Sequence, residues 1–371
     1  MYIEKLRLVN FRNYADEKIE FYKNVNLIIG NNAQGKTNIL EAIYMCAVGK
    51  SHRFAKDVEI LFFGKYGYFI EINLIKNKRS YKIKVEFSTK TGKRIKVGGI
   101  ELKKIGDLLG KLVVVMFSPE DLRMVKESPL YRRRFIDILI CQLHVSYLFD
   151  LQQYHKVLDQ RNNLLKQIKN KPTLETTLGI WDDKLIEAGS RVVLRRIEFV
   201  EKIVREGKKI HNKLTLDKEE LNVKYRCSFL IENYTVLGYE QISEKFKREI
   251  EKSKTIDIKR GFTSIGPHRD DLILSINGLD IAKFGSQGQQ RTVVLSLKLA
   301  ELEILKQEIG ESPVLLLDDV FSELDENRRE FLRENLKEIQ VFITSTDDIG
   351  ESKKRDTVKV FKVKNGNVLE K

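Results

Sequence analysis

At 371 residues, with 42% hydrophobic and 32% charged residues, the chain has a globular balance and enough length for two compact domains, or for one domain carrying an insertion. No run approaches the ~18 apolar residues that a membrane helix needs, and MYIEKLRLVN at the start reads as an alternating strand and not as a signal peptide. The cysteines, Cys46, Cys141 and Cys227, are odd in number and far apart, which excludes a disulfide framework or a zinc motif and suits a reducing, cytoplasmic setting. The net charge is +14, which points to a polyanionic partner, and it is unevenly placed. Residues 1–118 hold 22 Lys/Arg against 11 Asp/Glu, residues 119–250 hold 25 against 20, and residues 251–371 hold 20 against 22. A solvated surface rich in both signs does not explain a surplus of one sign in one third of the chain, so nucleic-acid contact is expected.

Residues 3–9 and 18–23 alternate apolar and polar as half-buried strands do. NVNLIIG (24–30) is a buried strand ending in glycine, and the helix after it places Ile39, Leu40, Ile43, Tyr44 and Ala47 on one face. FIEINLI (69–75), YKIKVEF (81–87) and residues 94–101 alternate again and predict an antiparallel β layer. LVVVMFS (112–118) is a short apolar strand. Ser118-Pro119-Glu120-Asp121 then has the cap, proline and acids of a helix start. From there to about residue 250 the period is helical, broken near Pro172 and Gly179, which predicts several shorter helices and not one long hairpin. Beyond 255 the α/β pattern returns: LILSI (272–276) before an Asn277-Gly278 hairpin, a helix over 287–309, a strand at 313–319, a helix over 325–338, a strand at 341–345, and a terminal hairpin turning at Asn365-Gly366. The expected fold is therefore α/β, with one domain, the head, built from both chain ends (1–118 and 251–371), an antiparallel β layer, and a mainly helical inserted lid domain (119–250).

Gly30-Asn31-Asn32-Ala33-Gln34-Gly35-Lys36-Thr37 fits the phosphate-loop pattern, and its context is right: a buried strand before it and an amphipathic helix after it. The glycines let backbone amides close around phosphates at the helix N-terminus. Lys36 is expected to reach the β/γ-phosphates of ATP, and Thr37 to hold Mg²⁺. LLLDD (315–319) puts acids at the end of a buried strand, a costly position unless a cation is served. Asp318 is the expected second Mg²⁺ residue and Asp319 the group that polarises the attacking water. Between these segments, GSQGQQR (285–291) opens a long helix, and Ser286, Gln287 and Gly288 offer hydroxyl and amide donors to an anion. The antiparallel layer is the richest in cations. Lys82 and Lys84 share one face of a strand, as do Arg94 and Lys96, a ridge suited to phosphates of DNA, with Arg132, Arg133 and Arg134 as the next candidates.

The order phosphate loop, helical insertion, SQGQQ, LLLDD, SELD (322–325) is that of ABC-type ATPases. LRLVNFRNY (6–14), GNNAQGKTNILEAIY (30–44), FSPED (117–121), GPHRDD (266–271), GSQGQQR and LLLDDVFSELD together resemble the RecF family, short relatives of the SMC proteins. The likeness covers both ends of the chain, while the middle fits only in length and type. It implies that Arg12 touches the nucleotide, that Ser286, Gln287 and Gly288 contact the γ-phosphate held by a second subunit, and that Asp325 sits at the dimer seam. It further implies an ATP-gated homodimer on single- or double-stranded DNA at gaps or gap junctions, recombinase loading with RecR and RecO, a part in the SOS response, and a weak DNA-stimulated ATPase. Two departures from the common ABC pattern, Asp319 where a glutamate is usual and Thr346 where a switch histidine is usual, imply slow hydrolysis. No glutamine is clear for the segment entering the insertion, and Gln142 is the one guess. Rival readings are an SMC-type chromosome structural ATPase, an ABC transporter ATPase subunit, and the ATPase partner of a nuclease.

Overall fold

The computed structural model describes residues 1–229, 237–321, 325–335, 338–346 and 358–370. Its described strands are β1 (Tyr2–Phe11), β2 (Tyr14–Glu20), β3 (Val25–Ile29), β4 (Gly67–Lys76), β5 (Arg79–Ser88), β6 (Gly92–Val97), β7 (Ile100–Glu101), β8 (Val114–Phe117), β9 (Leu221–Arg226), β10 (Asp271–Ile276), β11 (Leu279–Asp280), β12 (Val314–Leu317), β13 (Val341–Ser345), β14 (Val358–Lys364) and β15 (Asn367–Glu370). Its described helices are α1 (Lys36–Val48), α2 (Arg123–Lys126), α3 (Pro129–Leu143), α4 (Val145–Ile168), α5 (Leu178–Thr215), α6 (Tyr239–Arg260), α7 (Ile281–Phe284), α8 (Gln287–Ile309) and α9 (Glu326–Asn335). The chain divides into two units, one of Met1–Asp121 with Lys298–Lys371 and the other of Leu122–Leu297.

The first unit has two sheets. One is fully antiparallel, in the order β2-β1-β4-β5-β6-β7. The other runs β15-β14-β3-β13-β12-β8, parallel except for the β14–β15 hairpin. Helix α1 packs on strands of both sheets, which is why its buried residues are not confined to the expected face: Glu41, Ala42, Met45 and Cys46 are covered too. The core that results joins Leu6, Leu8, Ile70, Ile72, Ile83 and Val85 from the antiparallel sheet with Ile28, Leu316 and Phe342 from the parallel one. The strand expected at 18–23 begins earlier, at Tyr14, because Arg12 takes a left-handed turn (φ 54°) and pairs Phe11 with Tyr14. The strand expected over 94–101 breaks at Gly98-Gly99, both at positive φ, into the β6–β7 hairpin.

The second unit is helical around a small sheet, β11-β10-β9. Its extent corrects the expected boundary at residue 250. Residues 251–297 belong with the insertion, since β10 pairs along its length with β9 and α6 packs against α5. Strand β9 lies inside the stretch expected to be helical; Leu221, Val223 and Tyr225 are buried and their neighbours exposed, a period of two. The break expected at Gly179 is absent, because that glycine falls in the first turn of α5, which continues for 38 residues. At ~1.5 Å per residue α5 spans about 57 Å.

Arg161 on α4 ties three helices of this unit together. It is fully buried and donates to Asp182 on α5 (2.7 Å), to Asp257 on α6 (2.7 Å) and to Thr263 (2.9 Å). GPHRDD is a second hub: Arg196 on α5 bridges Asp137 (3.0 Å) and the Pro267 carbonyl (2.7 Å), Tyr225 donates to Asp270, and Arg132 grips Asp271 through two nitrogens (2.7 and 3.1 Å). Burial pushes the Asp182 carboxyl up, and the guanidinium of Arg161 opposes that rise. Removing one partner of a buried pair strands the other charge. Arg161→Ala should therefore lower the unfolding free energy of this unit by about 3–5 kcal/mol, read as a lower urea midpoint; a midpoint equal to the parent's would show that Asp182 and Asp257 need no counter-charge.

Candidate nucleotide site

The phosphate loop lies in the first unit, between β3 and α1. Its glycines are required by conformation and by space. Gly30 (φ 157°) has no room for a Cβ beside the Val363 carbonyl, and Gly35 (φ 117°) is closed in by the side chains of Asn13 and Tyr14. Ala33 also holds a left-handed conformation (φ 63°). Lys36 is buried, and its ammonium is folded onto the loop, donating to the carbonyls of Gly30 (2.6 Å) and Asn31 (3.3 Å). Phosphate oxygens would be a better acceptor set for this ammonium than these neutral carbonyls.

The loop meets the strand-end acid directly. Thr37 Oγ1 donates to Asp318 Oδ1 at 2.7 Å, and Thr344 at the end of β13 donates to the same oxygen at 2.8 Å. Burial pushes the Asp318 carboxyl above the usual range, and the two hydroxyl bonds counter this only in part. A buried acid with hydroxyl donors and no paired cation among the described residues fits a site for Mg²⁺, with Thr37 and Asp318 as the residues to hold it. Asp319 follows at φ 52°, its N–H donating to Thr344 Oγ1 (2.8 Å), so the turn that separates the two acids is fixed by one threonine. Arg53 reaches Asn38 on the first turn of α1 (3.5 Å), and its charge opposes the rise at Asp318. Neither Arg53 nor Thr344 was marked as a site residue by the sequence.

Sequence reasoning also missed the loop's supports. Asn13 donates to the Gln34 carbonyl (2.7 Å) and accepts from Asn38 (2.8 Å), while Tyr14 OH donates to the Gly35 carbonyl (2.9 Å). From the far end of the chain, the Asn365 N–H donates to Gln34 Oε1 (2.6 Å) and the Gly366 N–H to the Gln34 carbonyl (3.3 Å). The Asn365-Gly366 signal was legible as a turn, but nothing local says that the turn lies on the phosphate loop. Arg12, expected at the nucleotide, sits in the turn between β1 and β2. It forms a two-nitrogen ion pair with the buried Glu41 (2.8 and 2.7 Å) and donates to the Glu59 carbonyl (3.0 Å). Burial acts to raise the Glu41 carboxyl, yet the bonds from Arg12 and Ser51 leave it below its ordinary value. Arg12 in this structure holds the base of α1.

In the second unit, Ser286, Gln287 and Gly288 are exposed at the N-terminus of α8. Ser286 and Gln289 cap each other: the Gln289 N–H donates to Ser286 Oγ (3.2 Å) and the Ser286 N–H to Gln289 Oε1 (2.9 Å). Buried Gln290 donates to the Gly285 and Ile281 carbonyls (3.2 and 3.3 Å), which holds the turn before the helix. The result is an accessible hydroxyl and helix N-terminus, a ready anion contact. Of SELD, residues 322–324 lie outside the described residues; Asp325 is exposed and caps α9 by accepting from the Arg328 N–H (2.9 Å). Thr346 directly follows β13 and is exposed, while Asp347 lies outside the described residues. Gln142 is buried within α3 of the second unit, and the segment leaving β8 is Ser118-Pro119-Glu120-Asp121, which has no glutamine.

The proposed cationic ridge is not bare. Lys82 and Lys84 both pair with Glu71 (3.4 and 3.1 Å), Arg94 with Glu101 (3.9 Å) and Lys96 with Glu86 (3.7 Å). They do share the outer face, since Lys84 lies opposite Lys96 and Arg94 opposite Glu86. Arg132 and Arg133 are structural: one is paired with Asp271, the other donates to the Asp270 carbonyl (2.7 Å).

Two substitutions separate the loop from its support. Lys36→Ala should abolish nucleotide binding with far-UV circular dichroism unchanged. Gly366→Ala touches no nucleotide, yet its new methyl would collide with the Asn13 carbonyl at a backbone φ of 74°, so nucleotide affinity should drop at least tenfold in a titration with fluorescent ATP. Parent-like affinity in Gly366→Ala would mean that the terminal hairpin does not shape the loop.

The geometry has close counterparts. The family model described as RecF/RecN/SMC N terminal domain matches residues 2–368. A protein of Acetivibrio thermocellus named DNA replication and repair protein RecF is 50% identical over 347 residues, 94% of each chain. One of the same name from Clostridium tetani is 44% identical over 372 residues, covering 100% of both. A solved structure titled as the recombination mediator protein RecF with ATP in the RecFOR pathway superposes with a TM-score of 0.93 at 40% identity, covering 100% of this chain and 97% of that one. A Smc head domain of Pyrococcus furiosus, at 18% identity and TM-score 0.57 over 100% of this chain and 96% of its own, shares the fold alone. With the family model matched almost end to end and relatives of that name matched at full length, the chain belongs to the RecF family of SMC-like ABC ATPases.

Proposed function

We propose that this chain is an ATP-dependent DNA-binding protein of replication and recombinational repair, in which ATP joins two copies around DNA at single-strand gaps or gap junctions and slow hydrolysis releases them. The observation that carries the nucleotide half of this reading is the 2.7 Å bond between Thr37 and Asp318, which assembles phosphate loop and acid before any ligand is bound. Lys36 would leave the loop carbonyls for the β/γ-phosphates, and Asp319, just beyond Asp318 on the threonine-fixed turn, would orient the attacking water. Mg²⁺, held by Thr37 and Asp318, would neutralise phosphate charge when bound. The chain has one phosphate loop and one exposed signature at the start of α8. An ABC site needs both across a seam, so a second copy is the simplest supplier of Ser286, Gln287 and Gly288.

The DNA half rests on the +14 net charge and on full-length likeness to proteins named for DNA replication and repair. RecO and RecR are proposed partners on the strength of the RecFOR pathway named for the solved relative. Lys82, Lys84, Arg94 and Lys96 stay candidates for phosphate contact, because exposed pairs are worth only ~0–1 kcal/mol each and exchange readily for DNA oxygens. An SMC-type structural role is less well supported: it requires long coiled arms, and the longest described helix has 38 residues. No described helix is long and apolar enough to cross a membrane.

Sedimentation with ATP should give a dimer, and with ADP a monomer; a monomer under both at micromolar protein contradicts the seam. Ser286→Arg should bind ATP normally and fail to dimerise. Asp319→Asn should keep binding and dimerisation while turnover falls by about 10²-fold or more; an unchanged turnover assigns the water to another group. Affinity for gapped DNA above that for duplex or single strands, in ATP only, supports the repair reading, and equal binding with and without nucleotide removes the gate.

A further inference from the structure

The sheet candidates each have a carboxylate partner, and Arg132 and Arg133 are held inside the second unit. Another set of cations has none. Lys166 lies in the last turn of α4, Lys169 and Lys171 follow that helix, and Lys259 and Arg260 end α6; all five are exposed. Among the described residues none of the five has an acidic partner. The two helix ends converge at Gly261, where a Cβ would stand 3.4 Å from Lys169 Cε and Nζ and 3.5 Å from Lys166 Cγ.

The platform beneath them is rigid. The buried Arg161–Asp257 pair joins α4 to α6 a turn below, Thr263 binds Asn162 through both its N–H and its hydroxyl (2.7 Å each), and Lys254 ties α6 to the turn after α4 through Glu175 (2.9 Å). Asp257 and Glu175, the acids in these contacts, are thus already engaged. One or two lysines at a helix C-terminus offset its dipole. Five cations at two adjoining ends exceed that need and repel one another, a cost that a polyanion relieves.

We infer that the joined ends of α4 and α6 form a second, sequence-independent DNA contact, in which Lys166, Lys169, Lys171, Lys259 and Arg260 bind backbone phosphates. The inference rests on the DNA-binding reading above and locates part of it in the helical unit. DNA is the occupant because its charge is continuous, one phosphate per ~1.7 Å of duplex axis, and so matches a cluster of one sign with no acid among its members. Contacts of this kind position the protein and carry no base information.

The test uses the full chain with ATP and a mixed-sequence duplex, with affinity measured across a salt series. K166Q/K169Q/K259Q/R260Q should weaken binding at low salt and make the log-log salt slope shallower by roughly 3 to 4 units, with ATP affinity unchanged. K166R/K169R/K259R, which keeps the charge, should keep the parent slope. A glutamine variant with parent affinity and slope overturns the inference, as does one that loses only binding to polyglutamate, which would make the tip an acidic-peptide site. If the parent chain itself binds no DNA with ATP at any salt, the repair reading falls as well; parent binding with an unaffected variant sinks the tip contact alone.

Discussion

One hydrogen bond ties the two separated parts of the head together: Thr37, at the start of α1, donates to Asp318, at the end of β12, across 281 residues of sequence. It requires that β3 and β12 reach the same edge of one parallel sheet, with β13 between them, and the register places Ile29 beside Ser345 and Leu317 beside Ile343. A buried carboxylate at that point is costly without polar partners. Thr37 and Thr344 supply them, and both are presented by elements whose apolar faces are needed for the core anyway. Phosphate loop, acid and following turn are in this sense one construction, held by packing and read out in two hydroxyl groups.

The loop itself depends on contacts from both chain ends. Backbone at positive φ near Gly30, Ala33 and Gly35 is poorly populated in a free chain. Here Asn13 and Tyr14 from the β1–β2 turn, and Asn365 and Gly366 from the β14–β15 turn, bind it at Gln34 and Gly35. The amides are therefore arranged before a ligand arrives, and less ordering entropy is lost on binding. Arg12, adjacent to these supports, is spent on Glu41, so the same short turn braces the loop on one side and the base of α1 on the other.

The two units handle charge differently. On the outer face of the antiparallel sheet, cations alternate with Glu71, Glu86 and Glu101, a pattern of weak exposed pairs. Inside the helical unit, Arg161 and Arg196 are buried with their carboxylates and act as joints between helices. Five exposed cations with no acidic partner among the described residues meet where α4 and α6 end. Net charge along the sequence was highest in residues 1–118, yet a cluster of one sign also forms in the insertion, because summed charge says nothing about which acids fold beside which bases.

The phosphate loop, LLLDD, the signature helix and the α/β head made from both ends were legible in the sequence, since each is a local pattern: glycines at fixed spacing, an apolar run closed by acids, small residues opening a helix. The order of these patterns carried the family. Tertiary structure decided the rest, for reasons that no local pattern holds. Strand β9 hid in a helical stretch because its partner β10 lies about fifty residues away. The insertion extends to residue 297 because pairing and packing, and not composition, draw the boundary. That Arg12, expected at the nucleotide from the family likeness, is also paired with Glu41 on α1 is something the sequence does not show. Residue type and spacing determined which chemistry the chain holds; which charges remain free to use it was settled only when distant segments met.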